Sequence, residues 1–193
     1  MRIITCLALS SAVLLAACTS TEERSTGVAV RAPVPKDVGT AIVRALPMQP
    51  GALKNVKGMH DAPQYFAGEV RSDLKQKHPG WKIALEGEKG APSRPDITVD
   101  TELLQVEGGS AALRFWIGFG AGAISSRVKV SIRDRNGAEL AGSEISQETS
   151  CPLGACAEDN EPLVRENLKA LARSVSAFVT NPAEYQKKMQ EAQ

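Results

Sequence analysis

Aromatic side chains are scarce: two Trp, two Tyr and four Phe among 193 residues, or 4%. The core must therefore be built mainly from aliphatic side chains. Neither charge sign is in excess. Lys plus Arg is 23 and Asp plus Glu is 22, a net charge of +1. That balance gives no footing to a nucleic-acid binder, which needs a basic excess or patch. Only two histidines are present, His60 and His78, and they are isolated from the cysteines. They read as surface residues, one in a loop and one at a helix end. There is no Gly-x-Ser-x-Gly elbow, no His-Glu-x-x-His and no Gly-Lys-Ser/Thr, and no Ser-His-acid or Cys-His set assembles. The longest apolar run is Ile3 to Leu15, short of the ~20 residues needed to cross a bilayer. At 42% hydrophobic and 23% charged residues, the chain is globular and suits one domain.

That apolar run follows the charged start Met1-Arg2 and has the form of a secretory signal. It ends in Leu15-Ala16-Ala17-Cys18, which looks like the lipobox of bacterial lipoproteins. The resemblance implies cleavage before Cys18 and acylation of its sulfur and new amino group. A single acyl chain holds only marginally at about 0.8 kcal/mol per buried CH₂, so three would anchor essentially permanently. Residue 19 is Thr rather than Asp, which by resemblance to enterobacterial sorting favours the outer membrane, with the domain in the periplasm. The rival is ordinary cleavage that leaves Cys18 free. Loss of residues 1–17 removes Arg2 and no acid, so the mature body is charge-balanced.

With Cys6 in the signal and Cys18 on lipid, Cys151 and Cys156 remain. An even pair in an oxidising compartment suggests a disulfide. It would close a short ring worth about 2 kcal/mol in the loop-entropy model. A zinc site would need two more ligands, and the spacing is not Cys-x-x-Cys.

Residues 18–38 read as the lipidated Cys and a flexible tether, because 19–26 are wholly polar. A single domain is expected over 39–182, and 183–193 as a polar tail that frays at best into a second short helix. A short strand is expected at Thr40–Leu46. Asp61-Ala62-Pro63 has the form of a helix start, and Phe66, Val70 and Leu74 line one face up to His78-Pro79-Gly80. Alternation predicts strands at Trp81–Leu85, Ile97–Leu103 and Ile124–Asp134. Arg135-Asn136-Gly137-Ala138 predicts a hairpin with a type I′ turn, then a strand from Glu139 to Thr149 with a bulge near Gly142. Val164, Leu168, Leu171, Val175 and Phe178 form a helical stripe that Asn181-Pro182 ends. The fold class is α+β: a mainly antiparallel sheet of four to five strands, with two amphipathic helices packed on one face and the other face wet.

Three features compete to carry function. Gly118-Phe119-Gly120-Ala121-Gly122 lacks the strand-before, helix-after context of a nucleotide loop. Asp96, Asp100 and Glu102 share one strand face and offer paired carboxylates for acid–base work or calcium. The plainer reading sets them against Arg127, Lys129 and Arg133 across the sheet, at roughly 0.2–1 kcal/mol per pair. Leu113-Arg114-Phe115-Trp116-Ile117-Gly118-Phe119 holds three of the eight aromatics in five residues. It reads either as core or as an apolar docking loop in which Arg114, Phe115, Trp116 and Phe119 are the candidate contacts.

The stretch Gly109-Ser110-Ala111-Ala112-Leu113-Arg114-Phe115-Trp116-Ile117-Gly118-Phe119-Gly120-Ala121-Gly122, then Val128-Lys129-Val130, Asp134 and Gly137, resembles the bacterial lipoprotein family named domain of unknown function 4410. Ser110 stands where that family usually has Asn. The resemblance implies a lipoprotein and no known activity. The element order is loosely similar to envelope lipoprotein domains that assist outer-membrane assembly. The leading expectation is thus a non-enzymatic binding module with no cofactor or metal. It would be held to the membrane by N-terminal acyl chains, with a protein partner in the envelope and no nucleic acid. A small-ligand-binding lipoprotein with an apolar pocket is the alternative, and an envelope hydrolase the third.

Overall fold

Alternating aliphatic residues build one sheet, and two long apolar stripes cover it. The computed structural model describes residues 20–56, 58–109, 123–150 and 160–191. The strands are β1 (Ser20–Val30), β2 (Thr40–Ala45), β3 (Leu53–Lys54), β4 (Lys82–Leu85), β5 (Ile97–Glu107), β6 (Ile124–Asp134) and β7 (Glu139–Ser150). The helices are α1 (Ala62–Lys77), α2 (Asn160–Thr180) and α3 (Pro182–Glu191). The sheet runs β1-β7-β6-β5-β2-β4, and β3 lies beside the end of β5. The β1·β7, β7·β6 and β6·β5 pairs are antiparallel, whereas β2 is parallel to both β4 and β5. The parallel β2·β4 pair requires a crossover, and α1 supplies it.

The residues that alternate inward are buried: Ile97, Val99 and Leu103 on β5, and Ile124, Val128, Val130 and Ile132 on β6. Phe66, Val70 and Leu74 of α1 and Val164, Leu168, Leu171, Val175 and Phe178 of α2 meet them. Phe66 and Phe178 are fully buried. Burying such a side chain contributes about 1.5–3 kcal/mol. The helices lie on one face, and the other face of β5, β6, β7 and β1 is open. Among the described residues no helix is long and apolar enough to cross a membrane.

The architecture is α+β and mostly antiparallel as expected, but the described residues form seven strands and three helices, not four or five and two. One extra strand lies where a tether was expected. Residues 20–30 pair along β7 from Ser20↔Ser150 to Val30↔Ala141. The inner face of β1 is polar, with Ser25 Oγ 2.8 Å from Ser143 Oγ, so no hydrophobic alternation marked it. Backbone pairing to β7 suffices at a sheet edge. The supposed polar tail is α3 as far as Glu191. Asn181, which ends α2, accepts a hydrogen bond on Oδ1 from the Glu184 backbone N–H at 3.2 Å and so caps the next helix. Tyr185 and Met189 then turn inward.

The β6–β7 turn is not type I′. Gly137 takes φ +83° while Asn136 keeps a negative φ. The Gly137 N–H donates to the Asp134 carbonyl at 2.9 Å, and Asp134 Oδ1 accepts from the Asn136 and Ala138 N–H groups. This is a type I turn followed by a left-handed glycine, which the Asp134 carboxylate selects. The β7 bulge falls at Leu140, two residues before Gly142, where Ile132↔Ala141 is followed by Arg133↔Glu139. A second bulge in β1, at Gly27 with φ +66°, lies opposite the 142–144 stretch.

Candidate functional site

Every residue singled out for lipidation, docking or a disulfide lies outside the described residues: Cys18, Arg114, Phe115, Trp116, Phe119, Cys151 and Cys156. The described residues that flank their segments converge. Ser20 pairs with Ser150, and Thr149 pairs with both Thr21 and Ile124. Glu107 pairs with Ser125. One end of the sheet therefore receives the chain from Cys18, sends out residues 110–122, takes them back, and sends out residues 151–159. The hairpin at 135–138 marks the opposite end.

The open face between the two ends carries charge in rows. Nearest the Cys18 end, Glu107, Ser125, Glu148 and Glu22 are successive partners across β5, β6, β7 and β1. The next row is Gln105, Arg127, Ser146 and Arg24. In the third row Lys129 stands between Glu102 and Glu144.

Farther along, a line of ion pairs crosses the sheet. Arg44 Nε donates to Glu86 at 2.9 Å, and Arg44 Nη1 lies 3.4 Å from Asp100. Arg133 Nε donates to Asp100 Oδ2 at 3.0 Å, and Arg133 Nη2 lies 3.9 Å from Glu139. Arg31 Nε donates to Glu139 at 3.3 Å. Six side chains thus link β2, β5, β6, β7 and the residues just after β4 and β1. The Asp100 side chain is 8% exposed, whereas its two arginine partners are 37% and 39% exposed. An isolated surface pair is worth about 0–1 kcal/mol, so the buried centre carries most of the effect.

Two of the three acids, Asp96 and Asp100, are therefore engaged in holding the sheet. Asp100 meets Arg133 as expected, and Glu102 stands opposite Lys129. Arg127 opposes Gln105 instead of an acid. Asp96 turns to Arg135, whose Nη2 donates to Oδ1 at 2.6 Å. Asp96 Oδ2 accepts from the Gly39 N–H, the Thr40 N–H and Thr40 Oγ1, each at 2.9 Å. Those donors, the Gly39 N–H first and Arg135 last, pull its carboxyl from 3.8 down to about 2. A carboxylate so held is ionised near neutrality and cannot act there as a general acid.

His60 is exposed. His78 is not a bare surface residue. It ends α1, stacks on Trp81 with centroids 4.1 Å apart, and places Nε2 2.9 Å from Thr180 Oγ1. Partial burial and then Lys77 lower its pKa. Among the described residues no three His, Cys, Asp or Glu side chains come together to hold a metal.

A groove of about 830 Å³ lies between α2 and α3, floored by Gln147, Glu23 and Tyr185 and rimmed by Lys77, Arg173 and Lys188. It is open to solvent, with apolar surface lying between its charged rim residues. The Tyr185 hydroxyl donates to Glu23 at 2.5 Å, and burial pushes the phenol far above its ordinary range. This contact clamps α3 onto β1. Neither partner had a sequence signal, because both lay in stretches that looked unstructured.

Comparison with solved structures returns remote likenesses. A PelC dodecamer from Paraburkholderia phytofirmans is 13% identical, with 80% of this chain and 95% of that one covered, at a TM-score of 0.46. Protein XCC0632 from Xanthomonas campestris, of the DUF330 family, is 11% identical over 83% and 95%, at 0.47. A homolog of a neuraminyllactose-binding hemagglutinin from Helicobacter pylori is 7% identical over 82% and 94%, at 0.43. No curated protein matches the chain. The family model of the Domain of unknown function (DUF4410) matches residues 27–150, from β1 through the whole of β7, and the chain belongs to that family.

Proposed function

We propose that this protein is a lipid-anchored module of the outer membrane, facing the periplasm, that binds another envelope component and catalyses nothing. The observation that carries the proposal is the convergence of Ser20, Glu107, Ile124 and Ser150 at one end of the sheet. Acyl chains on Cys18 hold that end to the membrane. The Arg114–Phe119 segment leaves from the same end, and Phe115, Trp116 and Phe119 provide the apolar contacts with Arg114 beside them. A Cys151–Cys156 disulfide shortens the neighbouring connection. Among the described residues, Asp96 and Asp100 are held in hydrogen bonds and ion pairs that serve the fold.

Cross-linking the tagged full-length protein in intact cells tests this. A discrete envelope partner is expected, and it is lost when Trp116 and Phe119 are replaced by Ser while the thermal melt is unchanged. A variant that unfolds instead would place those aromatics in the core and end the docking role. Failure to capture any partner, under conditions that capture a known lipoprotein complex, would count equally against it.

A further inference from the structure

We infer that the β5–β6–β7–β1 end of the sheet lies directly on the bilayer surface, and that its outermost row is fitted to zwitterionic, amine-bearing headgroups. This rests on the lipid anchor at Cys18 proposed above. The length of free chain decides the matter. Because β1 begins at Ser20, only two Cα steps separate the anchor from a paired strand residue, a reach of at most about 7 Å. The long tether suggested by the polar sequence does not exist, so the domain has no slack with which to stand off. The opposite end is about 35 Å away along the eleven residues of β6. Laying the open face flat on lipid would strip water from the ion line through Arg44, Asp100 and Arg133. The upright pose leaves that line in water.

The row that then meets the headgroups is Glu107, Ser125, Glu148 and Glu22. It holds three carboxylates and no cation. Glu22 and Glu148 stand directly opposite each other, a pairing that costs stability inside a sheet. Arg127 and Arg24 are displaced one row away from the anchor, although Arg24 reaches back to Glu22 at 2.6 Å. Ammonium groups of a zwitterionic headgroup layer relieve the carboxylate repulsion, and a layer rich in anionic lipid sharpens it.

The test uses the mature acylated protein in vesicles of phosphatidylethanolamine and phosphatidylcholine, with a photo-crosslinking residue at Ser125 or at Asn136. A second probe at Glu148 guards against a misfolded Ser125 variant. Phospholipid adducts are expected at 125 and 148 and none above background at 136. Adding phosphatidylglycerol at low ionic strength lowers the adduct yield at 125, and E22Q/E107Q/E148Q restores it. Equal yields at both ends would overturn the upright pose. A yield indifferent to phosphatidylglycerol would overturn the headgroup preference. Mass spectrometry of the N-terminal peptide, done first, separates the two levels. If acyl groups are absent, the anchor proposal falls and the bilayer contact with it. If they are present and the adducts are absent, only the bilayer contact falls.

Discussion

The two ends of the sheet are built from the same strands yet treat charge in opposite ways. Toward the hairpin end, three acids hold bases, while Asp134 holds the backbone of its own turn. Asp100 lies between Arg44 and Arg133, Glu139 between Arg133 and Arg31, and Asp96 holds Arg135 and the start of β2. At the Cys18 end, three acids share a row and only Glu22 is reached by a base, Arg24 of the next row, at 2.6 Å; three connections meet there. A hairpin end has only its own turn to hold, and paired charges fix strand register cheaply there. An end from which long connections depart is where surface is available for binding. Charge on the open sheet face is thus no single feature: one part ties strands together across the sheet, and the other is held only by neighbours on its own strand.

The sharpest way to break this contrast is at Asp100. Asp100→Ala removes the buried centre of the ion line and leaves two arginines to find water. Both are more than one-third exposed and can do so, which moderates the cost. Unfolding by urea should show a loss of about 2–3 kcal/mol, below the 3–5 typical of a fully buried pair. A loss under 0.5 kcal/mol would mean the hairpin end is no more tightly held than its counterpart. A smaller effect is expected beneath α2, near the Cys18 end. Asn167 is fully buried, and its Nδ2 donates to Thr149 Oγ1 at 2.9 Å and to the Gln147 carbonyl at 3.2 Å. Its Oδ1 is buried without a partner among the described residues, so the bonds made by Nδ2 are offset in part by desolvation. Asn167→Ala should therefore cost about 1–2 kcal/mol in the same assay. A cost above that of Asp100→Ala would reverse the ranking of the two ends.

Most of the hairpin end was legible in the sequence. Ile97–Leu103 and Ile124–Asp134 alternate cleanly because one face is aliphatic core, and Asn136-Gly137 marks the turn. The pairing of their charged faces followed from that alternation. What escaped notice was polar on both faces or too short to show a period. β1 has Ser25 as its only buried inward residue over 22–30, and α3 shows Tyr185 and Met189 in a decapeptide that holds four charged residues and two Gln. The turn type escaped for another reason. Asp134 accepts two backbone hydrogen bonds, and that side-chain choice outweighed the local preference of Asn-Gly for type I′. The convergence of three chain segments at one end is a property of pairing order. It follows from register, which no single strand reveals.

Acid should separate the ends without mutation. The Asp96 carboxyl has a folded pKa of about 2 against an ordinary 3.8. A depressed carboxyl contributes stability that is complete above about pH 4 and is lost as pH falls toward 2. The lost hydrogen bonds lie at the start of β2 and at Arg135, so hydrogen exchange should loosen first at Gly39–Thr40 and at the hairpin. His78 adds a milder slope of its own. Its folded pKa lies below the ordinary 6.5, so its contribution is present above that value and declines as pH drops below it. The D96N variant should flatten the melting temperature between pH 4 and pH 2 relative to the parent and leave the slope near pH 6 in place. If D96N keeps the full acid slope, the titration belongs to other carboxylates and Asp96 is not the pin that the geometry describes.

The smallest expected effect is at Glu148, and its sign is what matters. Glu148 faces Glu22 directly across the β1·β7 pair, and both are exposed. Removing one of two opposed like charges relieves repulsion, so Glu148→Gln should be neutral or stabilising, within about 0.5 kcal/mol. Salt should erase the gain, because exposed charges are screened within about 10 Å at 0.1 M. The outcome expected at Asp100 is opposite in sign and insensitive to salt. If Glu148→Gln instead destabilises the free protein, its carboxylate is serving the fold, and the acidic row becomes a second laced region. Stabilisation in solution together with weaker lipid cross-linking at Ser125 would mean that the row gives up stability in order to bind.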